Sequence, residues 1–319
     1  MYNMDSLDKK ILYELDLNAR ASASQLAKKL RRNKETVNFR LNRLLERQYI
    51  KGFYGVFNTS KLGWYYYKVY VKFKNITPAK EKELFNYIQK QPNIAYLGSL
   101  EGAYSGVFLV MVKAPGDMLV FLNPFMETYG KFVQEKAIHT VLVTHRLNQK
   151  FLFNDKKRED WHYGESLENY CLDEVDKGIL NLISTKARMP LTDIAKELGV
   201  DHKVVKYRLN KLEKDRIILA YVSAPNFDVL GTQFVQINIS LRELSTGKSM
   251  INYFDSTNKC LFALELLGKY DLSVELHVNG AEELKTIIDG FRVKFVNKYN
   301  DYDVSTMTKE YVVVWTPFS

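Results

Sequence analysis

The stretch "KETVNFRLNRLLERQYIKGFY" at residues 34–54 returns as "HKVVKYRLNKLEKDRIILAY" at residues 202–221. Sliding the chain against itself by 168 positions aligns residues 7–63 with residues 175–231 without a gap. Identical pairs include Asp8/Asp176, Ile11/Ile179, Leu12/Leu180, Ala19/Ala187, Arg20/Arg188, Ala27/Ala195, Leu30/Leu198, Val37/Val205, Arg40/Arg208, Leu41/Leu209, Asn42/Asn210, Leu44/Leu212 and Gly63/Gly231. A match of that length is too long for one shared motif and marks a duplicated domain. Any fold for this chain must therefore be built twice.

Each copy reads as three helices followed by a short strand pair. In "LDKKILYELDL", Leu7, Ile11, Leu12 and Leu15 fall on one helical face. The second helix opens with the capping box of Ser22 and Gln25 and buries Leu26, Ala27 and Leu30. The third is capped by Asn33 in copy one and Asp201 in copy two, with apolar seams Val37, Leu41, Leu44 and Val205, Leu209, Leu212. "YIKGFYGVF" then reads as a wing-like strand turning at Gly52.

At 100° per residue, an inward seam leaves Glu35, Asn38, Phe39, Asn42 and Arg43 pointing outward from the first copy's third helix. The second copy presents Lys203, Lys206, Tyr207, Asn210 and Lys211. Such a face offers cations for phosphates, amides that pair with an adenine edge, and one aromatic ring. It suits a helix lying in the major groove, with Arg31, Arg32, Lys34 and Arg47 as flanking phosphate contacts. The bland alternative is an ordinary solvated basic face; helical order, cap and duplication together favour nucleic-acid binding. Arg40 and Arg208 flank the seam, so a salt bridge propping the domain competes there with a base contact.

Charge supports this reading. The 319 residues carry a formal +9, with a pI near 9.2, which points to an anionic partner. The excess is local: residues 28–51 hold nine Lys/Arg against two Asp/Glu, and residues 196–219 hold seven against four. Cys171 and Cys260 stand alone, without a CxxC, so neither a disulfide framework nor a zinc site is expected. No apolar run nears the length of a membrane span and no signal-peptide pattern opens the chain, so a cytoplasmic protein without membrane partners is expected.

After each three-helix segment comes a βαββαβ pattern. Val235, Ile237, Ile239 and Leu241 alternate with Gln236, Asn238 and Ser240, the mark of a strand with one buried face. "EELKTIIDGF" places Leu284, Ile287, Ile288 and Phe291 at helical spacing, and the first copy shows "YYYKVYVKF", "KELFNYIQK", "IAYLGSLEG" and "SGVFLVMVKA" in the corresponding order. The fold class is α+β: two tandem units, each a winged helix-turn-helix followed by a ferredoxin-like domain. The expected boundaries are 1–63, 64–146, a linker 147–174, 175–231 and 232–319. Phe151, Phe153, Trp161 and Tyr163 suggest that the linker packs rather than floats.

Residues 7–63, with D-x-x-IL, R-x-S-x-x-x-LAK, T-V-x-x-R-L-x-x-L and the closing LG, resemble the Lrp/AsnC (feast/famine) transcription regulators. "LLGKYDLSVEL" looks like the G-x-Y-D segment of that family's ligand-sensing domain. The resemblance covers nearly the whole chain outside roughly residues 147–174. It implies double-stranded DNA as partner; from the absence of ligand spacings and cofactor motifs, no cofactor and no metal are expected. It also implies pairing of the two copies into an internal pseudo-dimer, with further homo-oligomerisation left open, and an amino-acid-like effector held near Gly268, Tyr270 and Asp271.

Three departures from the family pattern carry expectations. Arg31 stands where Gly199 stands, so the turn before the third helix is expected to differ between copies. Pro190 replaces Ser22, removing a capping box. Ser105 stands where Asp271 stands, so the first copy is expected to lack a carboxylate for an effector amine. An enzyme remains the alternative. Siroheme decarboxylases resemble the same fold, and His139, His145 and Arg146 stand here for their tetrapyrrole-handling His and Arg. The H-N-Y-type stretch of those enzymes is absent, and the localised basic excess has no use in such chemistry. No P-loop, dinucleotide fingerprint, H-E-x-x-H or G-x-S-x-G is present.

Overall fold

The computed structural model describes residues 4–147, 161–164 and 168–314. Helices α1 (Ser6–Leu17), α2 (Ala23–Leu30) and α3 (Lys34–Glu46) lead into strand β1 (Ile50–Phe57). Then come β2 (Tyr65–Phe73), α4 (Pro78–Gln89), β3 (Ile94–Gly102), β4 (Gly106–Val112), α5 (Asp117–Tyr129) and β5 (Val133–Arg146). A short strand β6 (Trp161–Tyr163) precedes the second copy: α6 (Glu174–Thr185), α7 (Leu191–Leu198), α8 (His202–Lys214) and β7 (Ile218–Pro225). The chain continues through α9 (Phe227–Leu230), β8 (Gln233–Leu241), α10 (Gly247–Ser256), β9 (Cys260–Leu267), β10 (Leu272–Val278), α11 (Ala281–Lys294) and β11 (Tyr299–Val313).

The helix starts follow the expected chemistry. Ser22 and Gln25 form their capping box, Asn33 accepts from the Thr36 amide, Asp201 accepts from Lys203, and Pro190 gives α7 no side-chain cap. Reciprocal boxes at α1 (Asp5 with Asp8) and α6 (Asp173 with Asp176) add two caps that the apolar periodicity does not reveal. The turn after α2 corrects an expectation: Arg31 adopts φ 53° and ψ 50°, and Gly199 adopts φ 65° and ψ 32°, so the two copies turn alike.

The wing is also corrected. β1 does not turn at Gly52; it runs on to Phe57 and pairs antiparallel with β7 of the other copy, from Ile50 opposite Pro225 to Phe57 opposite Ile218. The strand pair expected within each copy is thus one ribbon shared by both. α1 packs on β7 and α6 packs on β1, so each helical domain leans on the other's strand.

The remaining strands close on themselves. Within each unit the order is ferredoxin-like: β5-β2-β4-β3 and β11-β8-β10-β9. The edges of one unit then meet the edges of the other, β3 with β11 and β5 with β9, giving an eight-stranded antiparallel barrel with β6 appended to β5. Closure leaves no unpaired edge between the units. The helices cover the outside: Leu84, Phe85, Ile88 and Phe125 pack on the first sheet, and Met250, Phe254, Ile287 and Phe291 on the second.

Inside the barrel both copies meet. Tyr70, Tyr96, Leu100 and Tyr104 pack against Leu264, Leu266 and Tyr270. Here the alternation in β8 is corrected too, because Gln236 and Asn238 are as buried as Ile237. Their face, polar in sequence, looks into the barrel instead of solvent. Tyr163 in β6 is buried, which meets the expectation for that linker residue. Phe151 and Phe153, and the side chain of Trp161, lie outside the described residues.

Candidate nucleic-acid interface

The outward faces of α3 and α8 stand in solvent as the helical rotation requires. Glu35, Asn38 and Asn42 on one helix, and Lys203, Lys206, Asn210 and Lys211 on the other, are exposed. Phe39 and Tyr207 occupy equivalent positions and are 62% and 65% exposed. Large aromatics left open at the same site in both copies form no part of either core. Arg31, Arg32, Lys34 and Arg47 are exposed around α3, whereas Arg43 is half-buried. Lys211 extends over the Tyr170 ring, 5.9 Å from its centroid.

Arg40 and Arg208 serve the scaffold. Arg40 reaches Asp5 at 2.8 Å and the fully buried Asp8 at 3.3 Å; Arg208 reaches Asp173 at 2.8 Å and Asp176 at 3.4 Å. Each arginine ties its recognition helix to the capping box of the first helix. The Arg40 guanidinium and the amides of Leu7 and Asp8 lower the pKa of Asp5, the Asp8 amide most. Burial raises that of Asp176.

A second arginine pair, identical in the two copies, explains how the helices are held relative to one another. Arg20 donates to the Ala187 carbonyl at 2.6 Å and to that of Met189 at 3.3 Å; Arg188 donates to the Ala19 carbonyl and, at 3.0 Å, to that of Ala21. Each guanidinium also lies over a ribbon aromatic, Arg20 on Tyr221 and Arg188 on Phe53. The amides of Ala19 and Ala187 bond to the carbonyls of those same aromatics. The interactions are reciprocal, residue for equivalent residue, as a two-fold contact demands. In the sequence Ala19/Ala187 and Arg20/Arg188 stand only as identities between the copies, with no motif that gives them a role. The identity itself was the signal.

The barrel is fastened to this head by Arg146 at the end of β5, which donates to Asp16 of α1 at 2.7 Å, both groups buried. His145 lies 2.7 Å from Glu265. His139 is fully buried and spans the two units: its Nε2 accepts from the Tyr270 amide at 3.2 Å, which leaves Nδ1–H to donate to the Lys68 carbonyl at 3.3 Å. Burial lowers its pKa to about 4. The three residues considered for tetrapyrrole chemistry are thus spread over different joints and engaged by protein groups. Among the described residues no group of three or more His, Cys, Asp or Glu side chains has the arrangement of a metal site.

Gly268, Tyr270 and Asp271 lie at the turn from β9 to β10. A Cβ on Gly268 would meet the His139 ring at 2.7 Å, so close packing requires glycine there. Tyr270 is buried with its hydroxyl 2.7 Å from that of Tyr104. Asp271 Oδ2 accepts from the Leu241 amide at 2.7 Å, and Ser105 Oγ accepts from the equivalent amide of Phe73 at 3.1 Å. The two side chains perform one structural task, so Ser105 replaces Asp271 there instead of leaving the position empty.

Two helix-turn-helix segments on a ferredoxin-like scaffold, with amide, aromatic and basic groups on an open third-helix face, define a helix-turn-helix DNA-binding protein. A family of winged helix-turn-helix DNA-binding domains matches twice, at residues 4–51 and 172–218. The regulator Ptr1 of Methanocaldococcus jannaschii is 30% identical over 140 residues, 44% of this chain and 86% of its own length. LrpA of Pyrococcus horikoshii is 42% identical over 66 residues, 21% of this chain and 47% of that one. The chain belongs to the Lrp/AsnC family of transcription regulators and carries the helix-turn-helix twice. Over its whole length its fold is similar to that of the siroheme decarboxylase NirDL, with a TM-score of 0.66 at 14% identity, covering 98% of this chain and 96% of that one. At that identity the likeness concerns the fold alone.

Proposed function

We propose that this chain works as a non-enzymatic regulator in which one polypeptide supplies a complete pair of recognition helices. α3 and α8 enter successive major grooves of duplex DNA. Asn38, Phe39, Asn42 and Arg43 read bases in one half-site, and Lys206, Tyr207, Asn210 and Lys211 read them in the other. Arg31, Arg32, Lys34, Arg47 and Lys203 hold phosphates, and Glu35 accepts from a cytosine amino group.

The observation that supports this most is the reciprocal arginine clamp over the β1–β7 ribbon. It fixes the two helix-turn-helix domains as a pair without a second chain. The open, amide-bearing basic faces of α3 and α8 favour DNA binding over the chemistry of a tetrapyrrole enzyme of the same fold.

Gel-shift titration of the purified full chain against duplex DNA, with an absorption spectrum of the same sample, separates the two classes. Salt-sensitive retardation, with tighter binding to selected than to random duplex, is the expected result. A Soret-type band together with no retardation at low salt would overturn the reading.

A further inference from the structure

Between the β1–β7 ribbon and the end of the barrel beneath it lies a cavity of about 160 Å³. It straddles the pseudo-two-fold axis, because equivalent residues of the two copies line it in pairs. Tyr54 of β1 is matched by Val222 of β7, Tyr66 of β2 by Phe234 of β8, and Leu109 of β4 by Glu275 of β10. The pairs are not identical. Where Tyr54 fills its side, Val222 leaves room; where Leu109 is apolar, Glu275 brings an acceptor. A symmetric dimer of either copy would lack this combination.

The wall is mainly aromatic and aliphatic. Its charged groups cancel, with Lys51 and Arg146 against Glu275 and Glu310. Arg146 is engaged by Asp16, and Glu275 by Lys68 at 3.1 Å. Among the described residues Glu310 is met by the Tyr96 hydroxyl at 3.1 Å and by the more distant Lys51 ammonium at 3.8 Å. An engineered apolar cavity of roughly 150 Å³ binds a single benzene molecule, so size, lining and charge balance together define an occupant.

We propose that this cavity is a regulatory site for a compact, uncharged aromatic molecule of one ring or two fused rings that carries an N–H or O–H donor. The ring lodges among Tyr54, Tyr66 and Phe234, and the donor bonds to Glu310. Burial raises the pKa of Glu310, and a ligand donor would stabilise its charged form. This site lies apart from the β9–β10 turn. Because Tyr54 and Val222 belong to the ribbon that couples the two helix-turn-helix domains, filling the cavity shifts their relative placement; that coupling rests on the DNA-binding reading above.

Calorimetry on the full chain without DNA tests the site, with indole and its N–H-free isostere benzothiophene as probes. Saturable one-to-one binding of indole is expected. Val222→Tyr, which writes the first copy's residue into the second, should abolish binding of both probes. The milder Ala224→Val should weaken both if Val222→Tyr fails to fold. Glu310→Gln should weaken indole about tenfold and leave benzothiophene unchanged, as loss of one bond to a charged acceptor requires. Absence of saturable binding, binding that survives a folded Val222→Tyr, or equal losses for both probes in Glu310→Gln would overturn the site. Bound indole that leaves the gel shift of the wild-type chain unchanged would overturn the coupling.

Discussion

Arg31 ends α2 in the left-handed region, where its counterpart Gly199 ends α7. That conformation costs an L residue about 1–2 kcal/mol, partly offset by the lower freedom of a non-glycine residue in the unfolded chain. Arg31→Gly should therefore raise the unfolding free energy by roughly 0.5–1 kcal/mol while weakening DNA binding through the lost cation. Denaturant titration and gel shift on the same variant check both signs; a fall in stability would show that the guanidinium supports the fold. The substitution was plain in the sequence, but its consequence was not, since a side chain does not reveal how much strain its backbone accepts. Arg40 and Arg208 illustrate the same limit. Helical rotation placed them beside the seam, yet only the capping carboxylates of Asp5, Asp8, Asp173 and Asp176 make them structural.

Among the elements, α3 and α8 share one geometry and differ in charge. Each phosphate contact releases condensed counterions and adds about 0.9 to the slope of log affinity against log salt. Replacing Lys34, Arg43 and Arg47 with Ala should lower that slope more than replacing Lys203, Lys206 and Lys211, because the first copy carries the larger basic excess. Binding isotherms across a salt series measure it, and equal reductions would contradict the ranking. The helices were legible because their periodicity and caps are local properties. The ribbon was not. β1 finds its partner 168 positions away, and no local pattern distinguishes a strand that turns on itself from one that pairs with its own duplicate. The inward face of β8 misled for a related reason: alternation records polarity, and Gln236 and Asn238 are polar residues inside a closed barrel.

At the scale of the whole molecule, duplication has allowed the two halves to become complementary. Tyr70 donates to Asn238, its own equivalent, at 2.8 Å, and fully buried Lys68 meets Glu275 of the other unit at 3.1 Å. Two copies of the first half would set a second Lys68 where Gln236 stands and Leu109 where Glu275 stands. The barrel is also sensitive to acid. Burial lowers the pKa of His139 to about 4 and of His277 to about 3, both below the usual 6.5, so between those limits the unfolded chain binds protons that the folded one refuses. The contribution of these two histidines to stability is complete above about pH 6.5 and is lost as pH drops, by up to about 1.4 kcal/mol per pH unit for each. Buried Asp303 and Glu310, whose pKa values burial raises, act in the opposite sense. Denaturant midpoints at pH 7.5 and 5.5 should show the loss, and His139→Gln should reduce it; a flat profile in the wild type would contradict it. The two-unit architecture was legible from the repeat, whereas the closed barrel was not, because closure depends on edges meeting across units. The central claim, that one chain presents two fixed and divergent recognition helices, is tested most directly by selecting bound sequences from random duplexes. The expected result is an asymmetric site about one helical turn between half-site centres, with an adenine shared by Asn42 and Asn210 and different bases around it. A perfectly symmetric consensus, or one bound only by two chains, would contradict it.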